Sequence, residues 1–483
     1  MSNINKDLNK GIKNSLIGKY SLYIFQMMSL AILARLFTPE DFGTLAALQV
    51  LILFFQLLAT SGLAPAIIHQ DSMSGEQRNG IFSATVIIGM LLSFLFIYIT
   101  PILANWLSLT NVSLITYVLA LNVFFSAIAM LPLASLQKDT QFIIIGKAEI
   151  GAEIMAFIIC ILLYFWGFGV VALAMKLLVT PIGRFVFYYL YSKNTEIGQV
   201  KLGYKISSIL PLFAIAKYQL GFNILNFFSR NLDTILVAKY FGVATVGFYE
   251  KTYQVMRYPL QLFTFAINPA LQPVLTRYKD KPSIIMAAYY KLAYKLAAIG
   301  VVTATFIFWY ADDIIIILFG AQWLAVSTLL KILALSIPVQ MVLSSTGGLY
   351  QAMGATKEMF YCGIFSSAVN VSAIFIGIYS GEMTVLCLSL IFAFMINYFQ
   401  CFYTLHCYVF KLKKLKPFLL LTVMILTGFF NGIFYSSVEI PVEPSSFGTS
   451  IYNISYVLIP VLILISSILF FKRVLSPIFK REV

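Results

Sequence analysis

Two stretches of this chain, 81–104 and 113–136, contain no Asp, Glu, Lys or Arg. Each reaches the roughly 20 residues that an α-helix needs to cross a bilayer core. Their apolar residues run continuously instead of alternating, which excludes the strands of a membrane barrel. Comparable runs recur along the 483 residues. Composition agrees: 60% of the residues are apolar, 11% are charged, and mean hydropathy is +0.90. A water-facing surface is made from chains with about 25% charged residues. The sequence therefore reads as an all-α polytopic membrane protein.

About 14 transmembrane helices follow. The expected spans are 15–36, 45–67, 80–104, 113–136, 143–165, 168–190, 212–240, 246–272, 286–309, 325–349, 359–379, 384–406, 417–435 and 452–471. Spans 5 and 6 are separated only by Trp166-Gly167-Phe168-Gly169. With both termini cytoplasmic, most of the 33 Lys and Arg fall in cytoplasmic segments, while Glu40, Asp41, Asp312, Asp313, Glu382, Glu439 and Glu443 fall on the opposite side. An odd number of spans would scramble that separation. The net charge of +14 is thus a record of membrane orientation, and nucleic acid is not expected as a partner. The first 14 residues are polar and no small-residue cleavage pattern follows, so no cleavable signal peptide is expected. Five scattered cysteines without a CxxC pair, and only His69 and His406, leave little for a metal or histidine-based site. No GxxxxGK[ST] loop is present for ATP hydrolysis, and no cofactor is expected.

The chain repeats itself. Ala34-Arg35-Leu36-Phe37 with Gly43 is echoed 204 residues on by Ala238-Lys239-Tyr240-Phe241 with Gly247. Ala64-Pro65-Ala66 matches Asn268-Pro269-Ala270 at the same offset. Spans 1 and 2 therefore correspond to spans 7 and 8. The copies are an even number of spans apart, which makes the repeat parallel, about an axis along the membrane normal, as in alternating-access transporters. The expected organisation is an N-lobe 1–206, a C-lobe 207–410, and a remainder 411–483 holding two further helices and a cytoplasmic end.

A charge inside the bilayer costs roughly 2.5–3.5 kcal/mol and marks a wet cavity or a partner. Span 7 carries Gln219, Asn223, Asn226, Arg230 and Asp233 on one helical face. Span 8 carries Glu250, Tyr253, Gln254, Arg257 and Gln261 in a similar stripe. Two readings follow: both faces line a hydrated central cavity, or the residues pair locally, Arg230 with Asp233 and Glu250 with Arg257 or Lys251. Span 5 has Glu149 and Glu153 on one face, and span 6 has Lys176. The glutamates suit proton coupling; alternatively Glu149 is solvated and Glu153 pairs with Lys176. The cavity candidates carry more bases than acids, which suits an anionic substrate such as a diphosphate held by arginine. In the turn Arg35–Gly43, Pro39 and Glu40-Asp41 fit a helix start by fixed backbone angle and dipole charge.

Ala34–Gly43 (ARLFTPEDFG), followed by Gly62-Leu63-Ala64-Pro65-Ala66-Ile67-Ile68, resembles the opening of the polysaccharide-exporter family of Wzx-type flippases. Ser229-Arg230-Asn231-Leu232-Asp233 with Gly242, Gly247 and Tyr253 is similar to that family's second-half signature, as is Leu330–Leu335. The similarity runs to about residue 410. The resemblance implies a bilobed fold of the multidrug/oligosaccharidyl-lipid/polysaccharide superfamily. It also implies flipping of polyprenyl-diphosphate-linked oligosaccharide repeat units to the periplasmic leaflet of a bacterial inner membrane, for O-antigen, capsule or exopolysaccharide assembly. Polymerase and chain-length regulator proteins are the further partners it implies, while the basic segments Lys6, Lys10, Lys13 and Lys411–Lys416 read as topology signals first and as contacts for anionic membrane lipids second. Two alternatives stand beside it: a cation-coupled multidrug exporter of the same superfamily, and a polytopic polymerase or ligase enzyme. The basic bias speaks against the first. The second lacks polar outer loops: the longest, about 436–451, has no Lys, Arg or His.

Overall fold

The computed structural model describes residues 20–60, 73–109, 112–264 and 281–410, with scattered positions near 63–67, 271–278 and 418–426. The expected span 452–471 and most of 417–435 lie outside the described residues. Every regular element among the described residues is a helix. Eight helices are long and apolar enough to cross a membrane, and a bent pair makes a ninth span if the two are counted together. The protein is a multi-pass membrane protein.

The first eight helices are α1 (Tyr20–Leu36), α2 (Pro39–Thr60), α3 (Gly75–Trp106), α4 (Ser113–Lys138), α5 (Phe142–Phe165), α6 (Val170–Tyr191), α7 (Leu210–Phe241) and α8 (Val243–Phe263). Six more follow: α9 (Pro282–Trp309), α10 (Ala311–Leu318), α11 (Ala325–Ala334), α12 (Ile337–Ala352), α13 (Thr356–Ser380) and α14 (Met383–Thr404). Spans 5 and 6 are indeed two helices, divided at the glycine-rich turn after Phe165. Packing groups the chain into two compact units, 1–250 with 318–322, and 251–317 with 323–483.

In the first unit, α4 is the most enclosed span. Leu119, Val123, Ala127, Leu131 and Ala134 are all buried, at helical spacing. α3 beside it turns Leu91, Phe94 and Tyr98 outward, as a lipid-facing helix does. Small residues Ala148, Ala152, Ala156 and Cys160 line one face of α5 and let α6 come close. α3 begins earlier than its apolar run. Ser74 and Gln77 form a reciprocal capping box that starts the helix at Gly75 instead of near residue 80.

The start of α2 is built as its sequence promised. Asp41 N–H donates to Thr38 Oγ1 at 3.2 Å, and the Asp41 carboxylate accepts from Thr38 N–H at 3.0 Å and from its hydroxyl at 2.8 Å. Pro39 and Glu40 complete a first turn that suits the helix dipole. Thr38→Ala removes a cap and is expected to lower stability by about 1 kcal/mol, read as a lower melting midpoint in detergent. Gln322 closes the preceding helix: its amide donates to the carbonyls of Ala34 at 2.6 Å and Phe37 at 3.2 Å.

α2 and α8 meet at their first turns with no room between backbones. A Cβ added at Gly43 would lie 1.8 Å from the Val243 carbonyl oxygen, and one at Gly247 would lie 2.1 Å from that of Pro39. Only glycine permits this approach. Pro39 and Val243 stand 204 residues apart, as Gly43 and Gly247 do. Each glycine thus meets the position in the other helix that corresponds to the first residue of its own.

In the second unit, α9 packs on α12, with the Tyr289 hydroxyl 3.1 Å from Ser345 Oγ. α14 ends in a π-helical turn at Leu405–Val409. Its His406 is buried, with Nδ1 3.0 Å from the Phe402 carbonyl and Nε2 2.9 Å from the Tyr290 hydroxyl. A carbonyl can only accept, so Nδ1 carries the proton and Nε2 accepts from Tyr290. The expected span 325–349 is not one straight helix: α11 and α12 are bent by 58°. Pro338 has no N–H to give and its ring crowds the carbonyl four residues back, so the ladder breaks at Leu335-Ser336. Ser336 repairs part of the break, its N–H and hydroxyl both donating to the Leu333 carbonyl.

Candidate functional site

α7 and α8 are long helices that carry the polar stripes, and neither is among the eight apolar spans. They are joined at Gly242, so the C-terminal half of α7 runs beside the start of α8. Two hydrogen bonds stitch that junction. Tyr249 OH donates to Asp233 Oδ2 at 2.8 Å, and Thr234 Oγ1 donates to Glu250 Oε1 at 3.0 Å. Asp233 Oδ1 also accepts from Thr234 N–H at 2.8 Å. Both acids therefore bond to hydroxyls. Arg230, one turn before Asp233, is exposed and has no ion-pair partner among the described residues. Asn223 is half-buried on the same helix, while the side chains of Gln219 and Asn226 lie outside the described residues.

The later turns of α8 belong to the second unit. Lys251 is buried and donates to Gln254 Oε1 at 3.3 Å. Arg257 is exposed, with its guanidinium carbon 5.2 Å from the centre of the Tyr253 ring. Tyr253 is itself buried, so the guanidinium rests on a fixed aromatic face. Arg257 too has no ion-pair partner among the described residues. A guanidinium in that condition offers its planar fork to a carboxylate or phosphate.

α5 and α6 hold the other charged pair. Lys176 Nζ donates to Glu153 Oε1 at 2.6 Å, with the glutamate side chain 6% exposed and the lysine side chain 19%. Glu149 lies on the same face of α5 but is half-buried and hydrogen-bonds Tyr188 of α6. The two glutamates thus take separate partners, and the pairing of Glu153 with Lys176 is the arrangement present. Lys176→Met leaves a carboxylate stranded in a low-dielectric site and is expected to cost about 3 kcal/mol. The double variant Lys176→Met/Glu153→Leu is expected to recover most of it. Melting midpoints of the single and double variants check this.

Sequence reasoning missed the polar chain next to that pair. Gln56 Nε2 donates to Asn122 Oδ1 at 2.8 Å and to Ser126 Oγ at 3.0 Å, and Asn122 Nδ2 donates to the Leu177 carbonyl at 2.6 Å. It ties α2, α4 and α6 together one residue from Lys176. The available signal was Asn122, the one amide side chain in 113–136.

The profile of a family described as "polysaccharide biosynthesis protein" matches residues 32–328. Among curated proteins, the chain is similar to the teichuronic acid biosynthesis protein TuaB of Bacillus subtilis (strain 168). The two are 21% identical over 362 residues, 75% of this chain and 74% of that protein. It is also similar to the succinoglycan biosynthesis transport protein ExoT of Rhizobium meliloti (strain 1021), 22% identical over 381 residues, 78% of this chain and 76% of that one. Among solved structures, the lipid II flippase MurJ in an inward closed conformation superposes with a TM-score of 0.73 at 14% identity, covering 95% of this chain and 99% of MurJ. An inward-facing multidrug resistance MATE family transporter of the MOP superfamily gives 0.66 at 13% identity, covering 85% and 99%. The fold is that of these transporters.

Proposed function

The chain belongs to the family described as polysaccharide biosynthesis protein, and from that membership we propose that it flips polyprenyl-diphosphate-linked oligosaccharide repeat units across a bacterial inner membrane. The units would serve O-antigen, capsule or exopolysaccharide assembly. One observation carries the substrate class: Arg230 and Arg257 stand in helices of polar face with no ion-pair partner among the described residues, while the nearby Asp233 and Glu250 bond to hydroxyls. A phosphoryl group of a diphosphate is the kind of anion that such a fork suits. Names of relatives support the class of cargo: succinoglycan biosynthesis transport for ExoT, a lipid II flippase for MurJ. Transport by alternating access, with the halves 1–206 and 207–410 exchanging exposure and both termini cytoplasmic, fits the parallel repeat. Asn223, Asn226, Tyr253 and Gln254 would contact the sugars. The chain would move its substrate without making or breaking bonds in it.

The test is leaflet-resolved. In a strain lacking the gene, single repeat units on polyprenyl diphosphate are expected on the cytoplasmic face of intact inner-membrane vesicles. Single units stranded on the periplasmic face would mean that transport is intact and that polymerisation or ligation has failed, which overturns the reading in favour of an enzyme.

A further inference from the structure

The segment from α6 to α7, residues 192–209, is neither helix nor free loop for most of its length. It is strapped onto the ends of α3 and α4. Arg78 donates to the Ile197 carbonyl at 2.8 Å, Lys201 N–H to Asn79 Oδ1 at 3.0 Å, and Gly203 N–H to Ser83 Oγ at 2.8 Å. Glu196 N–H donates to Asp139 Oδ2 at 2.9 Å, and Lys205 pairs with Glu76 at 3.1 Å.

The strap has two sides. A Cβ on Gly203 would lie 2.7 Å from that of Asn79, and the Lys205 carbonyl presses on Gly80, so the backbone of the strap lies against α3 at these two positions. The side chains of Leu202 and Tyr204 point away from the protein, 72% and 104% exposed. Ile206 and Leu210 continue the exposed apolar edge into α7. Contact with Asn79–Ser83 sets the strap level with the turn where the apolar run of α3 begins at Ile81. That is the depth of the headgroup boundary, where tyrosine prefers to sit. Lys193 and Lys201 beside it are exposed and have no ion-pair partner among the described residues.

We propose that this strap is a membrane-interface anchor: Leu202 and Tyr204 insert at the headgroup–acyl boundary, and Lys193 and Lys201 bind the phosphates of an anionic leaflet. The lysines keep their charge in the headgroup layer while apolar neighbours reach the acyl region. A pinned backbone makes the insertion cheap, because little conformational freedom is left to lose.

The test uses the full-length protein in vesicles of phosphatidylcholine with phosphatidylglycerol. In a Cys407→Ser background, which removes the exposed thiol, a nitroxide is attached at Tyr204→Cys and, as a water-facing reference, at Asn194→Cys. The label at 204 is expected to be at least about fivefold less accessible to a water-soluble nickel complex than the label at 194, yet open to oxygen. That protection is expected to fall in pure phosphatidylcholine and in Lys193→Gln/Lys201→Gln. Leu202→Cys, on the same side of the strap, repeats the measurement if the first variant does not fold. Nickel access equal to that at 194 puts the strap in water and overturns the proposal. Protection from nickel and oxygen together means that protein covers the strap, which overturns it as well. Protection indifferent to lipid charge and to both lysines overturns the anionic assignment.

Discussion

Alanine at Arg230 or Arg257 is expected to abolish export of the lipid-linked units while the protein stays in the membrane at normal abundance. The separation of the two effects comes from the hydrogen bonds. Removing Arg230 strands no acid, because Asp233 keeps Tyr249 and the Thr234 amide, and Glu250 keeps Thr234 Oγ1. The fold therefore loses little, while a charged hydrogen bond to a diphosphate worth roughly 1.5–3 kcal/mol goes with each guanidinium, about 10- to 150-fold in affinity. Lysine retains charge but not the fork, so Arg→Lys should recover only part of the loss. At Arg257 the ring beneath matters: Tyr253→Phe keeps the aromatic face and should transport nearly normally, whereas Tyr253→Leu should not. Polymer yield, cytoplasmic-leaflet accumulation and immunoblots of the membrane fraction read all of this. Full polymer assembly in either alanine variant would remove that arginine from the substrate's path.

Valine at Gly43, or at Gly247, is expected to leave little folded protein. Ordinary overpacking costs about 1–3 kcal/mol because neighbouring side chains give way. Here the obstacle is a carbonyl of the opposite backbone, 1.8 Å or 2.1 Å from the new Cβ, and nothing flexible stands in between. The two helix starts must separate by about 1–1.5 Å to regain van der Waals distance. We expect a loss above about 4 kcal/mol for valine, and somewhat less for alanine. The two positions should be nearly equivalent, and each should be worse than Thr38→Ala a turn away. Detergent melting curves and membrane yield measure it. A well-folded Gly43→Val would mean that α2 and α8 do not meet in this way.

The apolar runs made most of the spans legible because lipid gives a helix no other choice. What the runs did not contain was lost. The start of α3 lay in a capping box with no apolar signal, and Pro338 was read as one more residue of a continuous span. Helix α10 is too short to register as a span, yet Lys331 on α11 reaches back to Asp312 on it at 2.6 Å. At the candidate site, helical spacing found the charged members of the stripes. It did not find Tyr249 and Thr234, because a hydroxyl next to an acid looks like any other apolar-run residue until the fold brings the two helices together. Local pairing of Arg230 with Asp233 was one of the two readings open from the sequence, and the hydroxyl donors explain why that acid is already engaged. Of the two readings for α5, the structure has the one in which Glu153 pairs with Lys176, while Glu149 takes Tyr188 of α6 as a partner instead of solvent.

The meeting of α2 and α8 has one more implication. Each glycine touches the residue in the other helix that corresponds, 204 positions away, to the one the other glycine touches. In a contact between two identical molecules, that reciprocity is the mark of a self-complementary, two-fold interface. A chain of half this length, paired with its own copy about the same axis, would bury the same two surfaces. Within one chain the two sides are free to differ, yet this pair has the reciprocal form. A side chain introduced at 43 therefore meets the backbone at 243, and one introduced at 247 meets the backbone at 39, so neither is relieved by a substitution at the position it touches.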